Sequence, residues 1–196
     1  MFRNKLQSGL ISILCGSGLD PLAIWAHHGK GCIKRITDED IQTLVIEITS
    51  VQFCTTWISL PRVPSNSIGI RLPYLTMLLK YLKLPFCFEF VVMDHRMTKR
   101  RFRASNCQTT ANTNPLLCHL PLHLDEGWNK IQIDLFSFTR QAYGTDFVEI
   151  VTMEIYANTR IRRIYFSDRW YTEEELPVSY KMWKPTKKNK AKSAKN

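Results

Sequence analysis

Glycine is scarce in this chain, with eight residues in 196. That leaves little material for a phosphate-cradling loop, and neither G-x-x-x-x-G-K-[ST] nor G-x-S-x-G occurs. None of the six cysteines, at 15, 32, 54, 87, 107 and 118, stands in a C-x-x-C pair. An even cysteine count reads as a disulfide framework only in a secretory context. The apolar run near the start, Leu10 to Cys15, is broken by Ser12. It falls short of the roughly 7–15 residues of a secretory signal's apolar core, and reads as a half-buried first strand. No run approaches the ~20 apolar residues of a membrane-spanning helix. The expectation is an intracellular chain with no membrane partner, its cysteines reduced and mostly packed as small apolar side chains.

Ligand and nucleophile constellations are equally thin. Cys118, His119 and His123 could supply metal donors, but no second pair stands at zinc-site spacing and Pro121 interrupts them. The carboxylate clusters at Asp38–Asp40 and Glu173–Glu175 read as acidic charge at helix N-termini, which the helix dipole favours. No metal, no cofactor and no enzymatic activity are expected.

What is present is strand-forming material. Thr43–Ile48, Phe53–Leu60, Ile68–Leu72, Phe86–Met93, Lys130–Leu135, Val148–Ala157 and Arg160–Phe166 are rich in β-branched and aromatic residues. Turn signals separate many of them, which points to an all-β sandwich or barrel. In Lys130–Leu135, Ile131, Ile133 and Leu135 share one face, as in a strand with one wet side. Phe86–Met93 is apolar on both faces apart from Glu89 and should be central. Tyr74–Lys83 has helical spacing but is bracketed by Pro73 and Pro85, so its pattern leaves helix and strand open. Short helical turns are expected at Thr172–Pro177, with a Thr172/Glu175 capping box, at Ser137–Gly144, with Ser137 as cap and Gly144 as stop, and at Thr37–Gln42.

The charge is uneven. The net charge is +10, but the segment from Lys181 onward holds seven lysines and no acid, and setting those aside leaves 20 Lys+Arg against 17 Asp+Glu. The expected organisation is one β domain over residues 1–180 and a disordered lysine-rich tail over 181–196. Within the near-balanced body two basic stretches stand out, K-R-R-F-R from Lys99 and T-R-I-R-R-I-Y-F from Thr159. In a strand, Lys99, Arg101 and Arg103 share one face, while Arg100, Phe102 and Ala104 share the other. Arg160 and Arg162 would extend that cationic row if their strand lay alongside. Arg163 could instead be an internal ion-pair member with Asp168 or a glutamate of 173–175. Single-stranded nucleic acid would want exposed aromatics between the cations. Here the interleaved aromatics fall on opposite faces, which favours an acidic protein surface as the target. A sugar platform built on a tryptophan such as Trp128 is the other alternative, against a core role for that ring.

Longer blocks carry a resemblance. The opening M-F-R-N-K-L-Q-S-G, then Ile33–Gln42, Lys99–Asn106, Asp125–Leu135, Arg140–Phe147 and Asn158–Pro177 are similar, in order and without large insertions over about residues 1–180, to the cilia- and flagella-associated protein family of the doublet-microtubule inner junction, also called the basal-body-upregulated family. The resemblance implies a jelly-roll-like β-sandwich similar to carbohydrate-binding modules, and a strand for Tyr74–Lys83. It also implies a non-enzymatic protein that helps close the B-tubule onto the A-tubule. The implied partners are tubulin, the parkin co-regulated protein and other inner-junction proteins. The implied locations are axoneme, basal body and centriole, with a nuclear pool also on record for the family. Arg100, Arg101, Arg103, Arg160, Arg162 and Arg163 match its motif positions and, with Lys99, are carried over as candidate partner contacts. Stretches such as Ala26–Cys32, Val51–Ser67 and Ala111–Leu124 depart from the family pattern, and the chain reads as a divergent paralogue, as a specialised axoneme such as that of sperm would use.

Overall fold

The computed structural model describes residues 1–183. The expectation of a disordered tail therefore falls outside the described residues, apart from Lys181, Met182 and Trp183. The described chain forms β1 (Leu10–Cys15), β2 (Ala26–His28), β3 (Cys32–Asp38), β4 (Thr43–Thr49), β5 (Trp57–Leu60), β6 (Tyr74–Tyr81), β7 (Cys87–Asp94), β8 (Lys99–Ser105), β9 (Asn112–Thr113), β10 (Leu117–Pro121), β11 (Gly127–Asp134), α1 (Leu135–Tyr143), β12 (Phe147–Tyr156) and β13 (Thr159–Ser167). No helix among the described residues is long and apolar enough to cross a membrane.

Two sheets make a sandwich. One has the order β11-β6-β13-β4-β3, with β1 also paired to β13; the other runs β2-β5-β12-β7-β8-β10-β9. Period-two alternation sends one face of each sheet inward. Leu75, Met77, Leu79, Ile46, Ile48, Ile161, Ile164 and Phe166 come from the first sheet, and Phe88, Phe90, Val92, Phe102, Met153 and Ile155 from the second, into one buried cluster. Across the second sheet the rings line up. Phe90 and Phe102 are register partners on β7 and β8 with centroids 5.0 Å apart, and Phe102 meets the edge of Tyr143 at 5.6 Å. Burying each such side chain contributes roughly 1.5–3 kcal/mol.

β13 is the longest-served strand of the first sheet. Its start pairs with β4 and its end with β1, both on the same edge, while β6 runs along the other. At the handover Gly16 donates to the Arg162 carbonyl at 2.8 Å. A Cβ at Gly16 would sit 2.6 Å from the Leu44 carbonyl, so only glycine lets β1 end against the start of β4. A bulge between Ile161 and Arg163 lies at the same place. It resets the alternation: Ile161 and Ile164 both enter the core, and the two arginines between them both fall on the far side.

Tyr74–Tyr81, whose pattern left helix and strand open, is the strand that the family resemblance implies, with β11 and β13 pairing along it. Several other local expectations need correcting. Phe53–Thr55 is a 3₁₀ turn, and the strand begins only at Trp57. Ile68–Leu72 makes a single bridge, Ile70 to Ile150. Thr37–Gln42 is the end of β3 and a turn, with no helix. The expected turn at Ser137–Gly144 is a full α-helix whose N-cap is Asp134: its carboxylate accepts from Ser137 N at 3.0 Å, and Gly144 closes the other end at φ 63°. The Thr172/Glu175 capping box and the single turn expected there are formed, with Thr172 N donating to Glu175 at 2.9 Å and Leu176 N to the Thr172 carbonyl at 3.2 Å. Of the cysteines, Cys87 and Cys118 are buried; Cys32, Cys54 and Cys107 are exposed, against the expectation of packed thiols.

Replacing Phe90 by alanine should lower stability by roughly 3–5 kcal/mol, the range for a buried ring that leaves a cavity. Urea midpoints of the two proteins measure this.

Candidate interaction faces

The far face of the second sheet carries Lys99, Arg101 and Arg103 on β8. Their register partners on β7 are Met93, Val91 and Glu89. Glu89 is 6% exposed and lies 3.3 Å from Arg103 and 3.6 Å from Arg101. Burial pushes its carboxyl above the usual range, against the pull of the two arginines. Arg103 is half-buried, reaching Cys87 Sγ at 3.7 Å and the Tyr156 ring at 5.9 Å. Arg101 keeps 57% of its side chain exposed. Lys99 is exposed and, among the described residues, has no carboxylate within ion-pair distance. Two clefts adjoin it. One of about 500 Å³ is walled by Met1, Arg3, Ser67 and Glu149. The other, of about 460 Å³, lies between Leu116, Leu117, Val91 and Thr152, with Arg101 beside Lys99.

Arg100 turns the other way. Its Nε donates to buried Asp94 at 2.9 Å, it also donates to the Pro115 carbonyl, and it lies over Tyr143 at 4.7 Å. Asp94 in turn accepts from Arg96 N and Thr98 N, so Arg100 braces the β7–β8 turn. Farther along the same sheet face, His28, Trp57 and Tyr156 stack in a row across β2, β5 and β12, with centroids 4.7 and 5.7 Å apart. These rings spend their faces on one another.

On the far face of the first sheet Asp38 is fully buried. It accepts from Arg160 Nη1 at 2.8 Å, Lys80 Nζ at 3.1 Å and Trp128 Nε1 at 3.0 Å. Arg160 also donates from Nε to Glu47 at 2.7 Å, and Lys34 stands 3.3 Å from Glu47. Burial drives the Asp38 carboxyl upward, but the bonds from Arg160, Trp128 and Lys80 prevail and hold its pKa at about 2. Arg162 and Arg163 are each 6% exposed. Arg162 donates to the Met182 carbonyl; Arg163 donates to Ser12 Oγ at 3.0 Å and Cys15 Sγ at 2.8 Å, with Tyr180 stacked 4.2 Å away.

The seven candidate residues thus do not form one surface. Lys99, Arg101 and Arg103 share a face, as their spacing requires. Arg160 and Arg162 cannot extend it, because β13 belongs to the opposite sheet. Arg160 is held in an ion-pair network, and Arg162 and Arg163 lie beneath the C-terminal segment. Among the described residues Arg163 has no carboxylate partner: Asp168 accepts from Gly9 N and Tyr171, and Glu175 pairs with Arg169. The internal ion pair expected there falls to Arg160. Trp128 is partly buried with its N–H held by Asp38, which anchors the ring in the sheet, and Asp38 itself is no helix-terminal acid. Cys118 and His119 alternate in β10, the thiol buried and the imidazole on the far face beside Arg103. His28 and Tyr156 carried no signal in the sequence, and Glu89 stood out only as the one polar residue of its run; these residues meet Trp57 and Arg103 through cross-strand pairing, which is not local.

A protein-family model described as the CFA20 domain matches residues 1–184. Cilia- and flagella-associated protein 20 of Paramecium tetraurelia is 51% identical over 189 residues, covering 96% of this chain and 99% of the relative. The protein of the same name from Chlamydomonas reinhardtii is 48% identical, covering 96% and 100%. That from Caenorhabditis elegans is 48% identical, covering 94% and 92%. Among solved structures, a family 11 carbohydrate-binding module of Clostridium thermocellum shares 11% identity, covers 86% of this chain and 99% of the other, and gives a TM-score of 0.45. A xylan-binding domain of family 22 shares 9%, covers 85% and 100%, and gives 0.41.

Asp38→Asn should lower stability at pH 7 by roughly 3 kcal/mol, since it leaves buried cations short of their carboxylate. Because the folded pKa of Asp38 is depressed, its contribution is complete above the unfolded carboxylate value of about 4 and is lost as pH falls toward 2. The urea midpoints of the two proteins should differ clearly at pH 7 and draw together at pH 2.5.

Proposed function

The chain belongs to the CFA20-domain family of cilia- and flagella-associated proteins, and from that membership we propose that it is a non-enzymatic structural component of the axoneme that binds tubulin at the inner junction of doublet microtubules through Lys99 and Arg101. A role in cilia or flagella goes with the family. The finer assignment rests on one observation: Lys99 and Arg101 are open cations on the same sheet face, one without a carboxylate partner among the described residues and the other only loosely held. Arg103 stands behind them as a half-buried support. An acidic microtubule surface is the complementary partner, and such charge patterns set encounter and register more than raw affinity. The parkin co-regulated protein and other inner-junction proteins would be neighbours in that lattice, and a supporting role in ciliary stability and motility follows from the reading.

The two alternatives are less well served by the same face. Sugar and single-stranded nucleic acid both stack on exposed ring faces. Phe102 is fully buried, and the faces of Trp57 and Tyr156 are turned toward neighbouring rings.

Each exposed pair contributes only ~0.2–1 kcal/mol, so single substitutions should be mild. Lys99→Glu combined with Arg101→Glu reverses the local charge while leaving Glu89 its half-buried partner Arg103. In a ciliated cell the tagged wild-type chain should decorate axonemes and the double variant, with an unchanged melting temperature, should lose most of that signal. Equal decoration by both would overturn the assignment of these residues.

A further inference from the structure

Arg162 and Arg163 are cations that the fold buries with no counter-charge. Neither has a carboxylate within ion-pair distance among the described residues, and positions 184–196 contain no aspartate or glutamate. Among the described residues the Arg162 side chain makes one hydrogen bond, to the Met182 carbonyl, and Arg163 Nε is buried without a hydrogen-bond partner. Burial, and then the adjacent Arg163, push the Arg162 pKa down. Two desolvated guanidinium groups side by side are unfavourable unless an anion joins them, and a carboxylate is the anion their forked donors fit.

The cover over the pair is slight. Leu176 is buried and the Thr172/Glu175 box fixes the turn before it. Beyond that point the side-chain hydrogen bonds and ring contacts between residues 177–183 and the sheet are those with the arginines and one tyrosine. Tyr180 lies on Arg163 and edge-on to Tyr165 at 5.0 Å, and the Met182 carbonyl sits on Arg162. The backbone bonds of this segment, Tyr180 N to Pro177 O and Lys181 N to Val178 O, are internal to it. Val178 and Trp183 are more than half exposed. A ligand that competes for the two arginines therefore removes most of what holds the cover down. Beside Arg163 lies a cavity of about 270 Å³ lined also by Ser12, Cys15 and Gly18, a space on the scale of one side chain. Asp20 lines it too, exposed and beyond ion-pair distance of Arg163.

We propose that the Arg162–Arg163 pair is a receptor for the glutamate carboxylates of an acidic segment of a partner protein, which binds by lifting residues 177–183 from the first sheet. The site is on the opposite sheet from Lys99 and Arg101 and stands independently of the role proposed for them. Lys181, next in sequence to the Met182 whose carbonyl sits on Arg162, adds positive charge to this segment.

The test uses the full chain and a fluorescent dodecapeptide rich in glutamate. Tyr180→Ala loosens the cover without touching the donors. It should tighten binding by roughly tenfold, because less of the protein is in the closed form. Arg162→Met with Arg163→Met should weaken binding at least tenfold while leaving the melting temperature unchanged or higher, since apolar isosteres remove an uncompensated charge. The lysine tail is common to all proteins compared, so its contribution cancels. Lys99→Glu with Arg101→Glu should bind the peptide like wild type, which separates this site from the tubulin-binding reading. The proposal is overturned if Tyr180→Ala binds no more tightly, or if the double methionine variant unfolds or melts lower. It is also overturned if single-stranded RNA, and not the peptide, gains from Tyr180→Ala.

Discussion

One buried carboxylate organises the outer side of the first sheet. Asp38 sits at the end of β3 and gathers Arg160 from β13, Lys80 from β6 and Trp128 from β11, while Arg160 carries the network on to Glu47 of β4. Every strand of the β11-β6-β13-β4-β3 path is thereby represented in a single set of charged and hydrogen-bonded contacts. Hydrophobic burial supplies the cohesion of the sandwich and forbids a one-residue slip, but a slip of two residues keeps the same face inward. A charge network that needs five strands in register specifies their alignment, because displacing any one of them leaves a desolvated charge without its partner. The cations of this set are structural for that reason, however basic the stretch around Arg160 looks in sequence.

The same accounting of partners separates the remaining basic residues. Arg100 is absorbed by Asp94 and the β7–β8 turn. Arg103 shares Glu89 with Arg101 and is half covered. Lys99 and most of Arg101 are left over on an open face bordered by clefts, and Arg162 and Arg163 are left over beneath a thin cover. Availability to a partner is thus decided less by exposure than by whether the chain's own carboxylates already satisfy the charge. The two left-over sets lie on opposite faces of the sandwich.

Much of the architecture was legible beforehand because strand-sized β-branched and aromatic runs leave few alternatives. Leu10–Cys15 and the central, two-sided apolar β7 were read from such runs. So was the parity of Lys99, Arg101 and Arg103, since alternation within one strand is a local property. The family could be named because its blocks are long and collinear. What could not be read depended on non-local pairing. The fate of Arg160 turns on Asp38, 122 residues earlier in the chain. The placement of Arg162 and Arg163 turns on a bulge that shifts the alternation where β1 gives way to β4. The Asp134 cap was missed because Ser137, three residues on, has the same chemistry; it is instead the residue that donates to the cap. The His28–Trp57–Tyr156 row is assembled from three strands with no shared motif.

The central claim is that a cation's role follows from whether a carboxylate of the same chain engages it. Arg160→Gln tests it most directly, by a paired measurement of melting temperature and of co-sedimentation with axonemal doublets below the variant's melting point. The account predicts a clear drop in melting temperature with doublet binding unchanged. An unchanged melting temperature together with lost binding would contradict it, and would return Arg160 to the set of partner contacts.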